Sequence, residues 1–508
     1  MNNKSRTEHS ILNASVASLI RILTIVLGYI SRMVFTRMLN AHYVGISGLF
    51  LEFFGLLSFS ELGISIAITY ALYKPIAEGN TETQKSIMDL CRRFYNGVAL
   101  FILLIGLLVF PFLDVLIKDQ PNVENLQLIY LLYLANSVMS YLFVYKKALI
   151  DAHQQMYISM CYYGLFMTLQ YVLQIVILIC TSNFILYLVV YLLCTFLHNI
   201  VISRKAGKMF PFIKETDVQP LSKEKRQEIT KNIKAMFMHK IGTVAVQNTD
   251  SLLISSMIGI MSTACYTNYR LIIGSVQQVL NQVFQGFSAS IGNLGAVEDD
   301  HRKLATVFES IFFIDFWIYG FASICLFELL APFITISFGA QYVLPVDVTF
   351  ILCLNFYLTG IRQAVLSFRD SLGLFWHDRY KSIAESVLNL GASVLLAFWF
   401  GISGIFWGTL ISTVLVPLWV EPYILYKHEI HQSLLRYFVK LGVYTGAVFL
   451  CGIITHVICS HVEGDAVRQF LLKIPLCLTV PNCLIWLFFH RTAEYRHLLG
   501  KIRLFLRR

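Results

Sequence analysis

Residues 264–293 read ACYTNYRLIIGSVQQVLNQVFQGFSASIGN. The segment is long enough to cross a bilayer, which takes roughly 20 mostly apolar residues. Yet Arg270, Gly274, Gln277, Asn281, Gln285, Ser288 and Gly292 return at intervals of three and four, so one helical face is polar along its length. Gln278 and Gln282 widen the stripe, and Asn268 and Asn293 bracket it. An ionisable side chain at the bilayer centre costs about 2.5–3.5 kcal/mol. A span of this kind therefore needs an aqueous cavity on its polar face, or another helix to which hydrogen bonds glue it.

Outward from this segment the chain stays apolar. Hydrophobic residues make up 57% of its 508 residues and charged residues 14%. Soluble proteins average about 45–50% and 25%. The excess runs from Ile11 to His490, so it describes the whole fold and not one anchor. The expected fold is all-α and polytopic, with about fourteen membrane helices. Hydropathy places them at 11–34, 43–72, 94–117, 126–149, 156–180, 184–203, 236–259, 264–293, 305–330, 346–368, 380–400, 402–425, 437–459 and 468–489. No small-residue cleavage site follows a brief apolar core, so the first helix is expected to remain as a span.

The net charge of +10 would suggest nucleic acid in a soluble protein. Here the cations gather in alternate short loops: Lys74, Lys85, Arg92 and Arg93, then Lys146 and Lys147, then nine between Arg204 and Lys234, then the C-terminal tail. The opposite loops hold little beyond Arg37, Lys118 and Arg468. That asymmetry predicts both ends in the cytoplasm and no nucleic-acid partner. The basic stretch 204–235 reads as a linker that sets topology. It separates a six-helix bundle at 1–203 from a second at 236–430, and 431–508 adds two helices and a basic tail.

Other spans carry stripes of their own. Arg21 and Arg32 are eleven residues apart, three turns, on one face with Ser18, Gly28 and Ser31, and roughly 16 Å apart along the axis. His239, Thr243, Gln247 and Asp250 share a face, flanked by Asn248 and Thr249. Glu52 and Glu61 of the helix 43–72 are nine residues apart and so on opposite faces, so at most one faces a shared cavity. Lys381 and Glu385 are spaced as an exposed i,i+4 pair, with Asn389 and Ser393 on the same face. Arg362 and Arg369 also share a face, Arg369 reaching toward the cytoplasmic surface. Gly404 and Gly408 form a small-xxx-small pattern that signals close helix packing. The eleven cysteines show no CxxC pair and no zinc spacing, so neither metal nor cofactor is expected. There is no P-loop, no kinase set and no nucleophile with an ordered base. The outer loops are too short for a membrane transferase or polymerase, so the chain is not expected to be an enzyme.

Several short segments give a resemblance. They are Ser60–Glu61–Leu62–Gly63–Ile64 with Tyr70–Ala71–Leu72–Tyr73–Lys74–Pro75, then Asn248–Thr249–Asp250. Tyr266–Thr267–Asn268–Tyr269–Arg270, Ser290–Ile291–Gly292–Asn293 and Gly401–Ile402–Ser403–Gly404 through Gly408–Thr409 complete the set. In their order the chain resembles, over about residues 10 to 430, the polysaccharide flippases of the multidrug/oligosaccharidyl-lipid/polysaccharide (MOP) exporter superfamily. The resemblance implies two six-helix bundles in a V around a central cavity, working by alternating access without an ATPase. It implies an undecaprenyl-pyrophosphate-linked oligosaccharide as substrate, membrane lipids as surroundings, and a polysaccharide polymerase and export machinery as partners. On this reading Arg21 and Arg270 meet the pyrophosphate, since arginine's planar fork suits phosphate; Arg32, on the cationic stripe of the first helix, is a further substrate-binding candidate. Gln277, Asn281 and Gln285 meet sugar hydroxyls, and Asp250 and Glu61 pair with charge or couple an ion. A drug antiporter of the same fold would instead need acids to dominate the cavity, and a peptidoglycan-precursor flippase would differ only in its sugar.

Overall fold

The structure, a computed structural model, describes residues 6–57, 61–118, 123–215, 218–227, 229–230, 248–297, 301–372, 374 and 380–497. These residues are helical nearly throughout, with no strand among them. Ten of the helical stretches are long and apolar enough to cross a membrane, and Ala41–Leu57 is a shorter apolar helix. The chain divides into two compact units, residues 1–264 and 265–508.

The first unit holds α1 (Arg6–Met38), α2 (Ala41–Leu57), α3 (Glu61–Ala77), α4 (Thr81–Val109), α5 (Leu126–Tyr141), α6 (Met156–Thr181) and α7 (Phe184–Met209). α1 packs on α6, α6 on α7, α7 on α5 and α5 on α4. The predicted helix 43–72 is divided between α2 and α3, with 58–60 outside the described residues. α4 begins well before the predicted position 94. Its first turns carry Glu82, Lys85, Arg92 and Arg93, which hide a helix from hydropathy. The start is nevertheless written in the sequence: Gly79 takes φ +66°, and the Asn80 side chain caps the helix by accepting from the Thr83 N–H at 2.9 Å. At Gly106 the Tyr130 hydroxyl donates to the main-chain carbonyl at 2.8 Å, drawing α5 onto α4.

The start of the basic connector belongs to this unit. Lys85 is buried between Glu82 and Glu215, each at 2.6 Å, and the Ser86 hydroxyl donates to the Gln219 carbonyl at 2.6 Å. Phe210 and Ile213 pack on the small core of Ile150, Ile202 and Ala206. His153 lies against the Phe210 ring with centroids 4.3 Å apart, and burial holds it below the usual histidine range.

α8 (Ile260–Val297) crosses from the first unit into the second. The second unit continues with α9 (His301–Ser337), α10 (Val346–Gly360), α11 (Gln363–Ser371), α12 (Lys381–Leu415), α13 (Pro417–Leu425), α14 (Leu434–Ser460) and α15 (Ala466–Phe489). α9 is its axis, packed by α10, α11, α14 and α15. Phe312 and Phe316 of α9 stack on Tyr437 and Tyr444 of α14, with centroids 5.0 and 4.4 Å apart. Such aromatic pairs contribute about 0.5–1.5 kcal/mol each beyond their burial.

The predicted helices 380–400 and 402–425 form a hairpin. Gly401 turns the chain at φ +58°, ψ −135°, a conformation that a side chain strains. A Cβ at Gly404 would strike the Leu396 carbonyl, and one at Gly408 the Ser393 backbone, so the small-xxx-small pattern is indeed a packing device. The Ser393 hydroxyl donates to the Ile405 carbonyl at 2.9 Å, and the Asn389 amide donates to the Thr409 hydroxyl at 3.0 Å. Phe398, Trp399 and Phe400 stand exposed at the tip, Trp399 by 82%, as suits a membrane–water interface.

Candidate functional site

In the first unit the two α1 arginines meet different surroundings. Arg21 is exposed. Arg32 is half-buried, its guanidinium 5.4 Å from the centroid of the Phe35 ring and within electrostatic reach of Tyr133 and Tyr187. Phe35 packs on Phe184 and Tyr187 at 5.4 and 5.1 Å, and the Tyr133 hydroxyl donates to Ser47 at 2.8 Å. Ser31 is buried, and Gly28 lies under the Tyr171 hydroxyl. The stripe on α1 thus turns its Arg32 end into a tyrosine-rich nest and leaves its Arg21 end open.

Of the stripe predicted at 239–250, His239, Thr243 and Gln247 lie outside the described residues, and so does the side chain of Glu61. Asp250 is buried at the head of the short helix Asp250–Leu253. A π turn, Ile254–Ile258, follows and ends at Gly259 with φ +139°. The Ser255 hydroxyl donates to the Leu116 carbonyl at 2.8 Å and Lys118 Nζ to the Met257 carbonyl at 2.6 Å. Asp250 therefore sits just ahead of widened, pinned backbone. Turns of this kind recur at functional positions.

On α8 the two faces differ. The Tyr269 hydroxyl accepts from the Leu344 N–H at 3.2 Å, and Asn268 is fully buried. Among the described residues, a methyl group added at Gly274 would meet nothing within 4 Å. Arg270, Gln277 and Asn281 are half-buried around it, and Gln278 and Gln282 are exposed. Asn281 Oδ1 accepts from the Tyr319 hydroxyl at 2.8 Å, so that amide is half committed to the α8–α9 packing. The side chain of Gln285 lies outside the described residues. Four amides and a guanidinium along an open face can donate to and accept from hydroxyls and donate to phosphate.

The structure also holds a charged site that the sequence reading missed. Glu421 of α13 is fully buried, gripped by Arg362 through Nε at 2.9 Å and Nη2 at 2.6 Å, and by Lys381 at 2.5 Å. Lys381 is thus a buried partner of Glu421, and the exposed Lys381–Glu385 pair expected from spacing gives way to it. Spacing could not find this cluster, because its members lie 40 and 59 residues apart and Glu421 is a lone charge in Trp419–Val420–Glu421–Pro422. Arg362 occupies the break between α10 and α11, and Val416 precedes α13 in a second break. Arg369 is itself buried and forks onto the exposed Asp370 at 2.9 and 2.7 Å. A further buried acid, Glu328, takes His456 at 2.7 Å and Lys473 at 3.4 Å. Beside His456 opens a cavity of about 280 Å³, lined by Phe327, Phe350, Tyr357, Phe449 and Ile453, which suits hydrocarbon and not a head group. Among the described residues no three or more His, Cys, Asp or Glu gather as a metal site.

Many apolar spans with polar faces set inside them make the build of a multi-pass membrane protein. Comparison of structures gives the fold. The lipid II flippase MurJ, in an inward closed conformation, matches with a TM-score of 0.67 at 14% identity, covering 95% of this chain and 99% of that one. An inward-facing multidrug resistance MATE family transporter of the MOP superfamily matches with a TM-score of 0.62 at 17% identity, covering 81% and 98%. No protein-family model matches the chain, and no curated protein matches it. The fold is that of MurJ- and MATE-like transporters, and these neighbours are transporters and flippases, not enzymes.

Proposed function

We propose that this chain is a flippase that carries an undecaprenyl-pyrophosphate-linked oligosaccharide across the cytoplasmic membrane by alternating access, with both termini in the cytoplasm. The observation that carries the reading is the open face of α8, where Arg270 stands among the amides of Gln277, Gln278, Asn281 and Gln282. Such a face suits an anionic, hydroxyl-rich head group: guanidinium for pyrophosphate, amides for sugar. Arg21, Arg32 and Gln285 extend the same chemistry, and Asp250 and Glu61 supply acids for charge pairing. A cation-coupled drug antiporter, which would need acids to dominate its site, is disfavoured because the one charged residue of α8 is a cation, Arg270. In cells whose glycan export depends on this chain, Arg270→Ala at normal membrane level is expected to cut export about tenfold or more, as loss of a charged hydrogen bond of roughly 1.5–3 kcal/mol requires. Unchanged export counts directly against the assignment.

A second reading, a peptidoglycan-precursor flippase, draws support from the MurJ likeness, which runs over nearly the whole of both chains. Rescue of cells depleted of their lipid II flippase would favour it. Failure to rescue, with restored glycan export in a flippase-deficient glycan strain, would favour the first.

A further inference from the structure

Asp315 of α9 is fully buried, and its carboxyl is only half satisfied. Oδ2 accepts from the Ala364 N–H at 2.9 Å, capping α11 just beyond the break that holds Arg362. Oδ1 has no hydrogen-bond partner, and no cation stands within ion-pair distance among the described residues. Three tyrosine hydroxyls lie within its electrostatic reach: Tyr319 from its own helix, Tyr357 from α10 and Tyr437 from α14. Among the described residues the Tyr437 hydroxyl is itself buried without a hydrogen-bond partner, and Glu421 and Arg362 are its next charged neighbours. From the turn Tyr426–Ile430 comes Tyr426, whose ring meets Tyr437, and from α15 comes Phe489 against Phe313 and Phe316. α8 offers Asn281, already bonded to Tyr319.

Two effects oppose each other at this carboxyl. A buried carboxylate with one empty oxygen and no counter-ion is costly, which favours the neutral acid. The Ala364 N–H and the positive end of α11 favour the anion. A plain cap would need neither contest, since Asn or Ser gives the same hydrogen bond without a charge. We propose that Asp315 is a proton-binding site, whose occupancy sets the charge at the break between α10 and α11. With the proton on Oδ1 the acid is neutral and Oδ2 still caps Ala364. When the proton leaves, a full negative charge stands at the N-terminus of α11, two residues from Arg362. The proposal rests on the transporter reading for its purpose, since it names a coupling ion, but its test reads the proton and needs no cargo.

The test is pH-induced infrared difference spectroscopy on the purified full chain in lipid nanodiscs. The expected result is a protonated-carboxyl band at neutral pH that is lost at alkaline pH, moves on carbon-13 labelling of aspartate, and is missing from Asp315→Asn. That variant keeps an oxygen for the Ala364 N–H and should fold. If it does not, the labelling experiment decides on the unaltered chain. A difference spectrum without a labelled aspartic band overturns the proposal, and so does one that Asp315→Asn leaves unchanged. A band that persists to alkaline pH overturns it too, because an acid that never releases its proton only caps. None of these outcomes bears on the identity of the cargo.

Discussion

The open face of α8 and the Arg362–Glu421–Lys381 cluster are both polar features of apolar helices, yet they are built to opposite plans. In the cluster every charge is buried and held by another at 2.5–2.9 Å. Along α8 the polar groups line an open surface, and Gly274 among them faces space. Intramembrane charge is commonly taken as a sign of function. The contrast shows that the sign needs a second test, namely whether the group is shut inside the protein or lies along an open face. A buried ionic cluster is closed to a ligand, and its cost is returned in fixed geometry between α10, α12 and α13.

The sharpest way to break this comparison is to unbalance the cluster. Glu421→Gln leaves Arg362 and Lys381 buried with too little negative charge. Removing one partner of such a pair costs roughly 3–5 kcal/mol. Monodisperse protein in detergent should largely disappear, and the triple change Arg362→Met, Lys381→Met, Glu421→Leu should restore much of it. Full yield from Glu421→Gln alone would mean that the cluster is not structural. Arg270→Ala sharpens the other side: transport should fall, while thermal melting moves far less than in Glu421→Gln, since Arg270 is only half-buried. Next comes the hairpin. Gly404→Val forces a side chain into the Leu396 carbonyl and should destabilise by about 1–3 kcal/mol, read as a lowered melting temperature. The smallest effect concerns Asn281, which belongs partly to each plan. A double-mutant cycle of Asn281→Ala with Tyr319→Phe should give a coupling of about 0.6 kcal/mol, the usual size for such bonds between membrane helices. No coupling would free Asn281 wholly for the open face.

The sequence makes the apolar spans, the Gly401 turn and the α8 stripe legible, because each is a local pattern: hydropathy, a glycine between two spans, a period of three and four. It hides whatever depends on distant partners or on charged helix ends. α4 begins at Thr81 behind a row of charges that lowers its hydropathy. The predicted helix 346–368 is broken at Arg362, and nothing in Thr359–Gly360–Ile361–Arg362 says that the guanidinium will turn to a carboxylate 59 residues on. Lys381 illustrates the general failure. Its nearest acid in sequence is Glu385, but the hairpin brings Glu421 closer, and tertiary geometry decides between them.

The hairpin also acts as a caliper. Lys381 lies about twenty residues before Gly401 and Glu421 about twenty after it, so at 1.5 Å per residue each arm descends about 30 Å from the turn. That is about the thickness of the hydrocarbon core. The aromatic tip and the ionic cluster therefore mark two opposite margins of one slab, and the pairing of Lys381 with Glu421 keeps both arms level at the far margin. In a thicker bilayer the hairpin cannot lengthen. It would draw its ionic end into oil or its tryptophan out of the head groups, and mismatch of this kind costs fractions of a kcal/mol per ångström. Residue count in this one element thus tunes the protein to a membrane of a given depth.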